Sequence, residues 1–208
     1  HFVGANANVA ITGSILSQGS SLRLQGSGSY RLANAGTVAS ASGNGVEFSL
    51  AVGALSGDLT NSGTIQGRAA GVYFEPGLAI GRIVNTGTIV GNVSGGVTAG
   101  FGQGTVIIRN SGTIAGEYSV RTLGSTLAIY NSGLLAGAVS LSDFGDLYSG
   151  ALGRVDGTVS GHNGDDTLLG GVGDESFYGG SGNDILHGGS GNDLLYGLGD
   201  DDTLSGAE

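Results

Sequence analysis

The last part of this 208-residue chain counts in nines, and that register narrows the possible folds more than any other feature of it. From Gly161 five consecutive nonapeptides run GHNGDDTLL, GGVGDESFY, GGSGNDILH, GGSGNDLLY and GLGDDDTLS. The sixth place is always acidic: Asp166, Glu175, Asp184, Asp193 and Asp202. The eighth is always large and apolar: Leu168, Phe177, Leu186, Leu195 and Leu204. Two chemistries at one period put carboxylates on a turn and apolar side chains on a short strand that faces inward. A flexible Gly/Asp-rich linker would have no reason to keep Leu or Phe at every eighth place.

A glycine-rich turn can curl until several carbonyl oxygens point inward, because glycine accepts positive φ and close approach. A carboxylate at the end of the turn adds the charge a hard cation needs, and Ca²⁺ takes about six to eight oxygens in a flexible geometry. The nitrogen and sulfur ligands of a zinc or copper site are missing: the chain has no Cys, and its histidines are His1, His162 and His187. Ca²⁺ is the expected ion.

On these residues the segment resembles the RTX, or haemolysin-type, calcium-binding repeat, whose consensus is GGxGxDxUx. The resemblance implies a parallel β-roll in which two nonapeptides make one coil and each ion sits between turns stacked on the same side. It implies that Asp166, Asp184 and Asp202 line one edge and Glu175 and Asp193 the other, with Asp184 serving two ions. It also implies ligating loop carbonyls from Gly164, Gly171, Gly173, Gly180, Gly182, Gly189 and Gly191. Glu175 departs from the consensus by one methylene, which is expected to loosen its site, and Asp200 stands where a loop glycine belongs. Proteins with this repeat are typically bacterial and leave the cell through a type I secretion channel, so the resemblance implies a secreted, extracellular or cell-surface location.

The rest of the chain repeats at a longer period. Segments such as LTNSGTIQG, IVNTGTIVG and IRNSGTIAG align on Gly13, Gly36, Gly63, Gly87, Gly112, Gly133 and Gly157, at intervals of 23, 27, 24, 25, 21 and 24. A period near 24 that varies by a few residues is a solenoid with loops of unequal length. Leu32, Leu59, Ile83, Ile108 and Ile129 lie two places before a recurrent asparagine; Val38, Ile65, Ile89, Ile114 and Leu135 lie four after it. Even spacing puts both sets on one face of an extended chain bent at the glycine. Val46, Val72, Val97, Val120 and Val139 form a further ladder. The asparagines themselves, Asn34, Asn61, Asn85, Asn110 and Asn131, are expected to stack and hydrogen-bond from coil to coil, holding a left-handed or bent corner. Together these patterns predict an all-β chain: a three- or four-sided parallel β-helix (β-solenoid) of about seven coils over 1–160, continuing into a calcium-binding parallel β-roll over 161–208.

Charge separates the two sections. Residues 1–142 hold six Arg and four acidic residues, a formal +2, whereas residues 143–208 hold one Arg and 13 acidic residues, a formal −12. Bound cations would neutralise that second section. Nucleic acid is excluded as a partner, since phosphate recognition wants clustered Lys or Arg and the chain has no Lys and scattered Arg. No apolar run approaches the ~20 residues of a membrane-spanning helix. The chain opens on His1 rather than Met and is read as a mature, trimmed or excerpted piece.

Parallel β-helices also host polysaccharide-active enzymes, which need converging carboxylates. Here Glu47, Asp58, Glu75 and Glu117 read as isolated, and no His occurs between Phe2 and Gly161 to serve as a base. The chain is therefore expected not to be an enzyme. The favoured reading is a secreted calcium-dependent structural protein that stacks head to tail, as a homopolymer, into an extracellular filament, matrix or surface layer. Neither terminus shows the polar or helical cap of a closed solenoid, which leaves sheet edges open. The alternative is a segment of an RTX adhesin that binds a surface or glycan through loops such as Tyr73–Gly77 or Ala99–Gln103; a non-catalytic part of a polysaccharide-active enzyme is a third reading.

Overall fold

A computed structural model describes residues 2–3, 6–19, 22–26, 28–50, 56–75, 80–100, 104–122 and 124–206. Among them there is no helix, and the strands stack in parallel as a β-solenoid. One coil shows why. Strands Ser56–Asn61, Thr64–Gly67 and Ala70–Phe74 follow one another around the axis, and in the first of them Gly57, Leu59 and Asn61 are buried while Asp58 and Thr60 face outward. Alternation at period two sends every second side chain inward. Each strand then pairs with its counterpart one coil away, as Leu59 does with Ile83.

The coil is three-sided, and each wall carries one unbroken apolar column. On the first wall, a ten-stranded sheet from Ala7–Ile11 to Thr203–Ser205, Val9, Leu32, Leu59, Ile83, Ile108, Ile129, Tyr148, Leu168, Leu186 and Leu204 stand in register. On the second, Ile15, Val38, Ile65, Ile89, Ile114, Leu135 and Val155 do so. The third column runs Leu22, Val46, Val72, Val97, Val120, Val139, Val159, Phe177 and Leu195. The three columns meet in one hydrophobic core.

The architecture changes where the second wall stops, at Arg154–Val155. Beyond it a coil is made of two strands, such as Thr167–Leu169 and Ser176–Ser181, and the coil shortens to 18 residues. The first and third columns pass through this change without a break.

The asparagine corner forms as the sequence predicts. Asn34 Nδ2 donates to Asn61 Oδ1 at 2.7 Å, Asn61 to Asn85 at 2.8 Å, Asn85 to Asn110 at 2.8 Å and Asn110 to Asn131 at 2.9 Å. Every amide also donates to main-chain carbonyls beside it, as Asn85 does to Gly87 and Thr113. Of the two corner conformations expected, the structure has the bend: the glycine two places on, at Gly63, Gly87, Gly112 and Gly133, is not left-handed. Glycine is needed there because an added Cβ would strike the carbonyl oxygen of the corresponding glycine in the preceding coil.

Of the aromatic residues considered for a glycan-binding loop, Phe74 is buried in the core and stacks on Phe48 with ring centroids 4.9 Å apart, and Tyr73 is half-buried. Phe101 and residues 76–79 lie outside the described residues.

Candidate metal centre

Four of the five sixth-place carboxylates of the nonapeptides, those of Asp166, Asp184, Asp193 and Asp202, are held by a main-chain N–H of the coil before them. The N–H of Asp166 donates to Asp184 Oδ1 at 2.9 Å, that of Asp184 to Asp202 Oδ1 at 3.0 Å, and that of Glu175 to Asp193 Oδ1 at 2.9 Å. Asp166, Asp184 and Asp202 therefore form one column and Glu175 and Asp193 another. The first column begins one member earlier than the nonapeptides do: the N–H of Asp146 donates to Asp166 Oδ1 at 2.7 Å.

The second oxygen of these carboxylates is different. Oδ2 of Asp166, Asp184 and Asp193 is buried and has no hydrogen-bond partner. A buried carboxylate oxygen left unpaired is costly unless a cation meets it. Space for one is kept open by glycine at the first place of the repeat. A Cβ on Gly161 would meet Asp166 Oδ2 and the carbonyl of Gly179; one on Gly179 would meet Asp184 Oδ2 and the carbonyl of Gly197; one on Gly188 would meet Asp193 Oδ2. Unpaired carboxylate oxygens and carbonyls of the following coil thus face the same side-chain-free hollow.

Electrostatics point the same way. Burial, followed by the neighbouring carboxylates of Asp146, Asp184 and Asp165, pushes Asp166 up to about 8. Burial also raises Asp184, with Asp202 and Asp165 adding to it, and raises Glu175, with Asp193 adding. A cation at the hollow would offset both the desolvation and the repulsion. Among the described residues no three His, Cys, Asp or Glu groups converge on a point. A bound ion must therefore draw on main-chain oxygens as well, a donor set that suits Ca²⁺ and not Zn²⁺.

A parallel β-roll with unpaired carboxylates repeated at the coil spacing defines a calcium-binding solenoid. Residues 156–186 and 178–208 match the family described as RTX calcium-binding nonapeptide repeat (4 copies). The last quarter of the chain thus consists of RTX repeats, which bind Ca²⁺ and are typical of secreted bacterial proteins. No curated protein and no solved structure matches the chain.

Several site features were not read from the sequence. Asp146 lies 20 residues before Asp166, so a count in nines passes over it; the signal was Asp-Leu-Tyr, an acidic residue two places before an inward aromatic. Its carboxylate is fully used, accepting from the N–H groups of Leu127 and Ser142 at 2.6 Å and from Ser142 Oγ at 2.8 Å. The fifth place makes a ladder of its own. Asp165 Oδ1 accepts from Asn183 N–H at 2.8 Å, Asp174 Oδ1 from Asn192 N–H at 2.8 Å, and Asn183 Oδ1 from Asp201 N–H at 3.1 Å.

The two departures from the consensus have visible effects. The longer Glu175 side chain turns back so that Oε2 accepts from Gly171 N–H at 3.4 Å, whereas its counterparts keep an oxygen free. Asp200 takes the left-handed conformation of the glycine it replaces, as His162 and Leu198 do at the second place. Of the predicted carbonyl donors, Gly164, Gly171 and Gly173 present theirs toward Gly182, Gly189 and Gly191 one coil on, and that of Gly171 already accepts from Ser190 N–H at 2.8 Å.

Outside the roll, the acidic residues expected to stand alone do not all do so. Glu47 and Glu75, 28 positions apart, meet on Arg23, whose Nε lies 3.0 Å from Glu47 Oε1 and whose guanidinium donates to Glu75 Oε1 at 2.8 Å. The parallel register of adjacent coils brings them together, which spacing along the chain does not reveal. A histidine also finds a serine: Ser140 Oγ lies 2.9 Å from His162 Nε2. No helix is long and apolar enough to cross a membrane among the described residues.

Proposed function

We propose that this chain is a secreted, non-catalytic structural solenoid that takes up Ca²⁺ between the coils of its roll and stacks head to tail with further copies into an extracellular filament, matrix or surface layer. In this reading residues 1–160 are the rigid body and residues 161–208 the calcium-responsive end. The ions are held by Asp166, Asp184 and Asp202 on one edge and by Glu175 and Asp193 on the other, with Asp184 shared by two. Carbonyls of Gly164, Gly171, Gly173, Gly180, Gly182, Gly189 and Gly191 complete the shells, together with those of Gly179 and Gly197.

What supports the stacking is the continuous register: the first and third apolar columns stay in step from coil to coil across the change from body to roll, a parallel geometry that a second copy can extend. A head-to-tail contact between unlike faces does not close on itself and propagates as a fibre. Calcium controls it by removing the repulsion of the acidic roll.

Electron microscopy and sedimentation of the purified chain, with millimolar Ca²⁺ and then with EGTA, test the reading. Filaments that form with Ca²⁺ and disperse with EGTA are expected. Monodisperse particles under both conditions overturn the stacking.

A further inference from the structure

The outer face of the first wall carries a charge pattern that the calcium chemistry does not use. Its outward side chains alternate with the core column, and the charged ones are Arg31, Asp58, Arg82 and Arg109, three cations against one anion. Asp58 stands 3.6 Å from Arg31. No carboxylate among the described residues pairs with Arg82 or Arg109; the latter lies over the ring of Tyr130, 4.5 Å from its centre. Elsewhere Arg23 and Arg154 are already held by acidic partners.

This face is also concave. One hollow is lined by Arg31, Asp58, Arg82 and Val84, and a second by Val84, Arg109, Tyr130 and Leu152; Val84 belongs to both, so they join into a trough that runs across the coils. Arginine, aliphatic and aromatic groups thus follow one another at steps of ~4.8 Å, the spacing of paired strands.

We propose that this trough binds an extended acidic polysaccharide, whose carboxylates meet Arg82 and Arg109 and whose sugar rings lie against Tyr130 and Val84. Guanidinium groups pair with carboxylates through two parallel hydrogen bonds. Exposed aromatic and aliphatic surface between them suits the C–H faces of sugar rings, which a purely ionic partner would leave unused. Three arginines are too few for a nucleic-acid backbone, whose binding scales with the number of phosphates neutralised. The residues that carry the site, Arg82, Val84, Arg109 and Tyr130, lie on the side of the solenoid, away from the first coil that also borders the hollow at Asn8 and Ala10.

The test uses the full chain with millimolar Ca²⁺ and, as probe, an oligogalacturonate too short to gel, with a neutral malto-oligosaccharide alongside. Calorimetry should detect the acidic oligomer and not the neutral one. Arg82→Gln with Arg109→Gln should weaken binding about tenfold or more, Tyr130→Ala should weaken it in the native charge background, and Arg68→Gln, with its exposed side chain on another part of the coil, should leave it unchanged. Circular dichroism checks that each variant is folded. Equal binding of the neutral oligomer overturns the proposal. So does undiminished binding by the double variant, which would place the oligomer on the calcium ions of the roll. If the double variant instead abolishes self-association while no oligomer binds, the occupant is the acidic roll of a second copy and the polysaccharide is ruled out.

Discussion

The N–H of Asp166 donates to Asp184 Oδ1 at 2.9 Å, while Oδ2 of that same Asp184 carboxylate is buried and accepts nothing. One oxygen ties adjacent coils and the other is left without a partner. Asp166, 18 residues earlier, repeats both features: its Oδ1 accepts from the N–H of Asp146 and its Oδ2 is buried and unpaired.

Removing Ca²⁺ should unfold the roll and spare the body. At an ion concentration ten times the dissociation constant, each site contributes about 1.4 kcal/mol by mass action. Hydrogen exchange in EGTA should show protection lost over 161–206 and kept at the asparagine corner. Unchanged protection of the roll would rule out calcium as its stabiliser.

Asp184→Ala should cost more bound calcium than Glu175→Ala. Asp184 has neighbours above and below in its column, whereas Glu175 already satisfies one oxygen with the N–H of Gly171. Calorimetric stoichiometry should fall further for the first variant; equal losses would contradict the sharing of Asp184 between two ions.

Asn85→Ala should destabilise the body by about 1–3 kcal/mol, because it leaves the buried Oδ1 of Asn110 without its donor and takes from the Asn61 amide one of its three acceptors, those of Gly63 and Thr88 remaining. The urea midpoint measured in EGTA isolates this effect from calcium. A shift equivalent to less than about 0.5 kcal/mol would mean that the amide ladder adds nothing beyond filling space.

Gly87→Ala and Gly13→Ala make a matched pair. A Cβ at Gly87 meets the carbonyl oxygen of Gly63, and one at Gly13 meets nothing within 4 Å. The first substitution should cost about 1–3 kcal/mol through overpacking and the second close to nothing. Thermal midpoints of the two variants suffice to decide; similar values would remove close coil approach as the reason for the recurrent glycine.

Much of this is legible in the sequence. The constant distance of Leu59, Ile83 and Ile108 to an asparagine predicts one column, and they pair in register. The valine ladder likewise pairs from Val46 to Val139. What escaped was everything that depends on pairing between coils of unequal length. Glu47 and Glu75 look isolated until Arg23 is brought beside them, and Asp146 sits outside the nine-residue count because its coil is 20 residues long. The first-place glycines escaped for another reason: Gly161, Gly170, Gly179, Gly188 and Gly197 recur in every nonapeptide, but the period does not tell that their role is to lack a side chain beside carboxylate oxygens such as Asp166 Oδ2 and Asp184 Oδ2.

The columns that begin at Val9 and Leu22 continue through Tyr148 and Val159 to Leu204 and Leu195. The roll therefore grows directly from the body. Its first coil pairs with the preceding strands, and the N–H of Asp146 already holds the carboxylate of Asp166 in place. In a linear array each unit gains from its neighbour, so ordering spreads from the preformed side. Calcium bound along the column from Asp166 to Asp202 would then act as a ratchet on a zipper that closes in one direction, and partial loading would leave the far coils frayed while the near ones hold.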